Sequence, residues 1–201
     1  MCDPMPEKMT QMKAPSKNKG LSIRKDPIIV KNAKMKAIRQ NAIAGKKKQT
    51  AAEQIDDILR EYVKLNPDLK NKNDLGLVFK HYICKLLKKE GYTIIKGEAD
   101  WIGDHGVDLI VSQTKESDYD YEKPITTTYA VACKYKSKDN ITYEEFRKIE
   151  SGNLLYYKCD KMLIFTTNDY SSDAQVSARQ TKITKLITGK ELVKLIEKLE
   201  K

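Results

Sequence analysis

The chain has 201 residues, 33% of them charged, with a net charge of +10, four cysteines and two histidines. That length suits one domain with an extension. No apolar run approaches the roughly 20 residues that span a bilayer, which excludes a helical membrane protein. The four cysteines lack any Cys-x-x-Cys spacing, which argues against a disulfide framework or a zinc site. The start of the chain lacks an apolar core and carries Asp3 and Glu7, against a signal peptide. An intracellular protein, of cytoplasm, nucleus or nucleoid, is expected.

The charge is unevenly placed. Residues 1–50 carry 13 Lys+Arg and 3 Asp+Glu, while residues 51–201 carry 25 of each sign. A basic arm on a balanced domain is the electrostatic footprint of a polyanionic partner, with nucleic acid first and an anionic membrane surface second. The first 27 residues hold Pro, Ser, Asn and Lys but few large apolar side chains, a composition that does not fold alone. From Ile28 to Ala44, Met35, Ile38 and Ala42 recur at helical spacing among lysines, and Lys46-Lys47-Lys48 closes the arm. Either a basic helix forms on a polyanion or the arm stays solvated.

Ala51 to Leu65 reads as a short helix with Ile55, Ile58, Leu59 and Tyr62 on one face, stopped by Asn66-Pro67. Residues 51–70 form this helix and a linker, and the main domain is expected over 71–201. Asp74 caps a helix carrying Leu75, Phe79, Tyr82, Ile83, Leu86 and Leu87, ended by Gly91. Strands follow at Tyr92–Glu98, Val107–Gln113 and Ile125–Lys136, with an acidic exposed loop over Thr114–Pro124 that lacks calcium-loop spacing. Thr142-x-x-Glu145, Ser172-x-x-Gln175 and Thr188-x-x-Glu191 each fit a capping box and open helices near 143–157, 173–180 and 189–200. Strands Met162–Thr167 and Ile183–Ile187 lie between them. The order α-β-β-β-α-β-α-β-α predicts an α/β fold with a mixed sheet flanked by helices.

Two charged residues sit inside apolar strands and need a reason: Asp108 and Lys134. Strand alternation puts Ala132, Lys134 and Lys136 on one face and Val131, Cys133 and Tyr135 on the other. It also sets Asp108 and Ile110 opposite Val107, Leu109 and Val111. If the two strands form a hairpin, Asp108 and Lys134 can meet at one end of the sheet. They form either a salt bridge or a site in which a carboxylate holds Mg²⁺ and a lysine handles its water. Trp101 either stacks on a base or anchors its loop. Lys136 and Lys138 either contact phosphates or are simply solvated.

Gly103-Asp104-x-Gly106-Val107-Asp108-Leu109-Ile110, followed by a strand ending Cys133-Lys134-Tyr135, resembles the Mrr-type restriction endonuclease family of the PD-(D/E)xK fold. The similarity continues through Gly76-x-x-Phe79 and Gly91-Tyr92, through Leu163-Ile164-Phe165-Thr166-Thr167 with Ser171 and Ala174, and through Leu186-Ile187-x-Gly189-x-Glu191-Leu192-Val193. The resemblance implies a restriction endonuclease-like domain that cleaves DNA with Mg²⁺ or Mn²⁺. It makes Asp108 the metal-binding acid, Lys134 the catalytic lysine and the Cys133 main-chain carbonyl a further ligand. Asp104 and His105 would shape the adjacent loop, with His105 a lesser candidate for general base. A homodimer would be in keeping with the resemblance.

Two positions depart from the family pattern. Ala132 stands where Gln or Glu is expected two residues before the lysine, and Lys80 stands where Glu commonly follows the aromatic of the first helix. A methyl group ligates no metal, and a cation at position 80 would repel one. The chain is then a nuclease, a non-cleaving nucleic-acid-binding relative, a protein altered at Ala132, or one whose second acid has moved to Asp104, Glu144 or Glu145.

Overall fold

The computed structural model describes residues 49–69, 74–97, 105–116 and 123–199. The basic arm, including Lys46, Lys47 and Lys48, lies outside the described residues, as do Trp101 and Asp104. Among the described residues five α-helices and five strands follow in the expected order: α1 (Ala51–Leu65), α2 (Leu75–Lys89), β1 (Thr93–Lys96), β2 (Leu109–Lys115), β3 (Ile125–Lys134), α3 (Tyr143–Gly152), β4 (Lys161–Thr166), α4 (Ser172–Thr181), β5 (Thr184–Ile187) and α5 (Gly189–Leu199). The strands form one sheet in sequence order. β1, β2 and β3 pair antiparallel; β3, β4 and β5 pair parallel. Among the described residues no helix is long and apolar enough to cross a membrane.

The two faces of the sheet bury unequal cores. On one, Ile55, Leu59 and Tyr62 of α1, the apolar face of α2, and Leu192 and Ile196 of α5 close over Leu109, Val111, Val131, Cys133, Leu163 and Phe165. On the other, Phe146 and Ile149 of α3 and Ala174 and Ala178 of α4 cover Val107, Ala130, Ala132, Met162 and Ile164. Alternation along β3 therefore holds as the sequence reads. Each large apolar side chain so buried contributes about 1.5–3 kcal/mol. Because α1 shares the larger core, it packs as part of the folded body.

The helix starts are fixed by side chains. Thr142 with Glu145 forms a complete capping box. Thr188 and Glu191 exchange the same bonds. Thr50 with Glu53 forms a third, unexpected one. The box read at Ser172 and Gln175 is corrected: Ser171 is the cap, accepting from the Ala174 N–H, and the Gln175 amide donates to the Tyr170 carbonyl. Buried Tyr170 decides this, because its hydroxyl donates to the Ile164 and Ile187 carbonyls and pins the chain one residue earlier.

The helix read over 143–157 keeps α geometry only to Gly152. Asn153–Tyr157 widens into a π turn, closed by the Lys158 N–H on the Asn153 carbonyl at 2.7 Å. The buried Asn153 amide clasps both backbone groups of Cys159 and sets this wider turn. Leu154, Leu155 and Tyr156 are left exposed.

A candidate nuclease site

Strands β2 and β3 part at one end. Their last paired residues are Leu109 and Val131, just after the Asp108 N–H donates to the Val131 carbonyl at 2.7 Å. β3 runs on to Lys134, leaving the Cys133 N–H without a strand partner on that side. The Asp108 carboxylate takes it, Oδ2 accepting at 2.7 Å. Asp108 is only 5% exposed.

Here one expectation is corrected. Val107 packs in the smaller core, while Leu109 and Val111 pack in the larger one. Simple alternation would put all three together. The regular strand begins only at Leu109, after His105 and Gly106 turn the chain with positive φ of 57° and 79°. Asp108 thus sits where the chain changes faces.

The partner of Asp108 is also not the one expected. Its Oδ1 holds the Lys80 ammonium of α2 at 2.6 Å. Lys134, on β3, forms no ion pair with Asp108. The sequence marked Lys80 as a departure but carried no signal of the pairing itself, since 28 residues of chain separate the two partners.

Ala132 lies fully in the smaller core. The Cys133 thiol points to the larger core, and burial first, then the Asp108 charge, pushes it well above its ordinary range. It is a neutral thiol, so only the carbonyl of Cys133 remains as a ligand. Among the described residues no group of three or more His, Cys, Asp and Glu converges. A divalent ion wants several oxygen ligands. Among the described residues this donor set offers one carboxylate, already engaged at both oxygens and facing a cation. The described residues alone do not fit a Mg²⁺ or Mn²⁺ ion.

The moved-acid reading finds no support at Glu145. Its carboxylate accepts from the Lys136 ammonium at 2.7 Å and from the Thr142 N–H at 3.1 Å. Partial burial would raise its pKa, yet these bonds and the charges of Lys136 and Lys134 hold it below the usual range. Lys136 is thereby committed to Glu145, and its backbone to Thr167, whose hydroxyl accepts from the Lys136 N–H and donates to its carbonyl. Lys138 is exposed at the same end, with its carbonyl held by the Asn168 amide.

His105 stacks flat on Tyr156, ring centroids 3.6 Å apart. Its carbonyl abuts Gly152, where any side chain would collide with it. The contact ties the loop entering Asp108 to the π turn. Beyond Lys134, the Tyr135 hydroxyl donates to Asp56 of α1 at 2.8 Å; burial first and this bond second push the phenol up to about 12.

An open, mixed sheet whose antiparallel strands part around a buried aspartate, with a lysine ending the neighbouring strand, is the frame of a nuclease fold. The chain matches the restriction endonuclease family of the Mrr catalytic type over residues 75–196, and it belongs to that family. The resemblance read from the sequence is thereby borne out. No curated protein matches the chain. Among solved structures it is similar to the DNA modification-dependent restriction endonuclease AspBHI, at 14% identity and a TM-score of 0.48, covering 73% of this chain and 35% of that one. It is also similar to the MspJI restriction endonuclease solved with a 27-mer oligonucleotide, at 15% identity and a TM-score of 0.41, covering 90% of this chain and 35% of that one. The chain thus spans about a third of the length of these two proteins.

Proposed function

We infer that the protein binds DNA through a restriction endonuclease fold whose cleavage site is short of metal ligands. The observation that carries this is the pairing of Asp108 with the Lys80 ammonium at 2.6 Å, and the sequence has Ala132 at the position where the family pattern has a second ligand. Enzymes of this fold generally use divalent metals, and a site with one saturated carboxylate holds them poorly. The basic arm, with Lys46, Lys47 and Lys48, adds contacts to phosphates that are independent of sequence. Lys138 does the same from the fold. Binding is then steeply salt-dependent. Lys136 contributes less, because Glu145 already holds it.

A second reading, Mg²⁺-dependent DNA hydrolysis by Asp108 and Lys134, is favoured by one observation: both residues are kept at the parting of β2 and β3. Plasmid and linear DNA incubated with Mg²⁺ or Mn²⁺ separate the two. The expected result is binding without cutting by the chain as it stands. Metal-dependent cutting that Asp108→Ala abolishes would establish the second reading instead. Cutting only by Ala132→Glu would mean the site lacks a single ligand.

A further inference from the structure

The Lys80–Asp108 pair has an inner and an outer end. The Asp108 side chain is 7% exposed and the Lys80 side chain 27%, so the carboxylate is sealed while the lysine side chain reaches solvent in part. Both carboxylate oxygens are spoken for, one by the Cys133 N–H and one by Lys80. An ammonium carries three N–H donors, and Asp108 needs one. Two donors of the Lys80 ammonium are thus left beyond the one that Asp108 takes at the parting of β2 and β3. There the cation of a partly exposed side chain sits against a buried acid.

We propose that Lys80 binds a backbone phosphodiester of DNA at this position, bridging it to Asp108 in the place where a divalent ion would otherwise stand. This rests on the DNA-binding reading above and adds a specific, metal-independent phosphate contact to it. The departure at position 80 supplies the charge: a lysine stands there where the family pattern has an acid. Asp108 in this arrangement orients the ammonium and does not touch the ligand.

The sign of one substitution separates the possibilities. Fluorescence anisotropy with a labelled duplex is measured for the full chain, for Asp108→Asn, and for Asp108→Asn with Lys80→Gln, each in EDTA and in Mg²⁺. Circular dichroism checks that each is folded. The pairing of Asn with Gln leaves no unpaired buried charge, so the double variant keeps the test usable even where Lys80→Gln alone would not fold. Wild-type binding is expected to survive EDTA and to gain nothing from Mg²⁺ beyond ordinary ionic competition.

Asp108→Asn is expected to tighten binding about fivefold, the order Coulomb's law gives for removing one unit charge about 4 Å away in a watery dielectric. Adding Lys80→Gln should reverse that gain and lower the salt slope by about 0.9. Weaker binding by Asp108→Asn, or binding that requires Mg²⁺, overturns the proposal. So does a double variant that binds as tightly as Asp108→Asn, which would make Lys80 a counter-ion only. Absence of duplex binding by the wild type in either buffer would instead overturn the DNA-binding reading beneath it.

Discussion

Asp108 and Glu150 are both acids buried in the fold, and they are treated in opposite ways. Asp108 has a partner for each oxygen, one from the backbone and one from another helix. Glu150, 1% exposed on α3, pairs one oxygen with Arg147 of its own helix and leaves Oε1 without a hydrogen-bond partner among the described residues. Burial alone therefore does not mark a site. The acid in the nuclease frame is the one held rigid and neutralised, and the one outside it is left incomplete.

That contrast can be broken by mutation. Asp108→Ala removes the partner of both Lys80 and the Cys133 N–H, and breaking such a pair costs about 3 kcal/mol. Urea unfolding should show it directly. Glu150→Gln removes a charge whose carboxylate was already incompletely paired, so it should change stability by less than about 1 kcal/mol, below the penalty of about 1–3 kcal/mol for newly stranding a buried group. Equal losses in the two variants would erase the distinction drawn here. Between them lies Tyr170→Phe, which deprives two buried carbonyls of their donor and should cost about 1–2 kcal/mol.

The smallest effects appear as pH dependence at the edge that carries Lys134. Tyr135 has its phenol raised from 10.0 to about 12 in the folded chain, so the fold holds that proton more tightly than the unfolded chain does. Its contribution is fully present below pH 10 and is lost as pH rises from there toward 12. Tyr135→Phe should therefore flatten the decline of the unfolding midpoint over that window. Glu145 runs the other way: its depressed pKa gives stability above the unfolded value that is lost as pH falls through the folded one. Thermal unfolding of Glu145→Gln in mild acid should lack that loss.

Much of the fold was legible because local chemistry decides it. The spacing of Ile55, Leu59 and Tyr62, the boxes at Thr142 and Thr188, and the alternation along β3 are each set by neighbours a few residues away. At Ser171 and Ser172 two adjacent residues offered the same cap, and only the anchoring of Tyr170 from β4 and β5 chose between them. The π turn at Asn153 depended on a side-chain clasp that no periodicity encodes. Asp108, Lys134 and the odd Ala132 could be singled out from the sequence as candidates. The geometry could not: the face change at Asp108 follows from a left-handed turn at His105, and its ion pair joins an α2 side chain to a strand end. Such contacts belong to packing between elements.

Gly189 opens α5 so close to the Thr167 carbonyl that no side chain would fit there, and Ala51 lies 3.3 Å from the position a Cβ would take. Thr167 in turn grips the backbone of Lys136. The root of the basic arm is thus bolted to the end of the sheet that carries the site. A bulky residue at 189 would loosen the hinge pin.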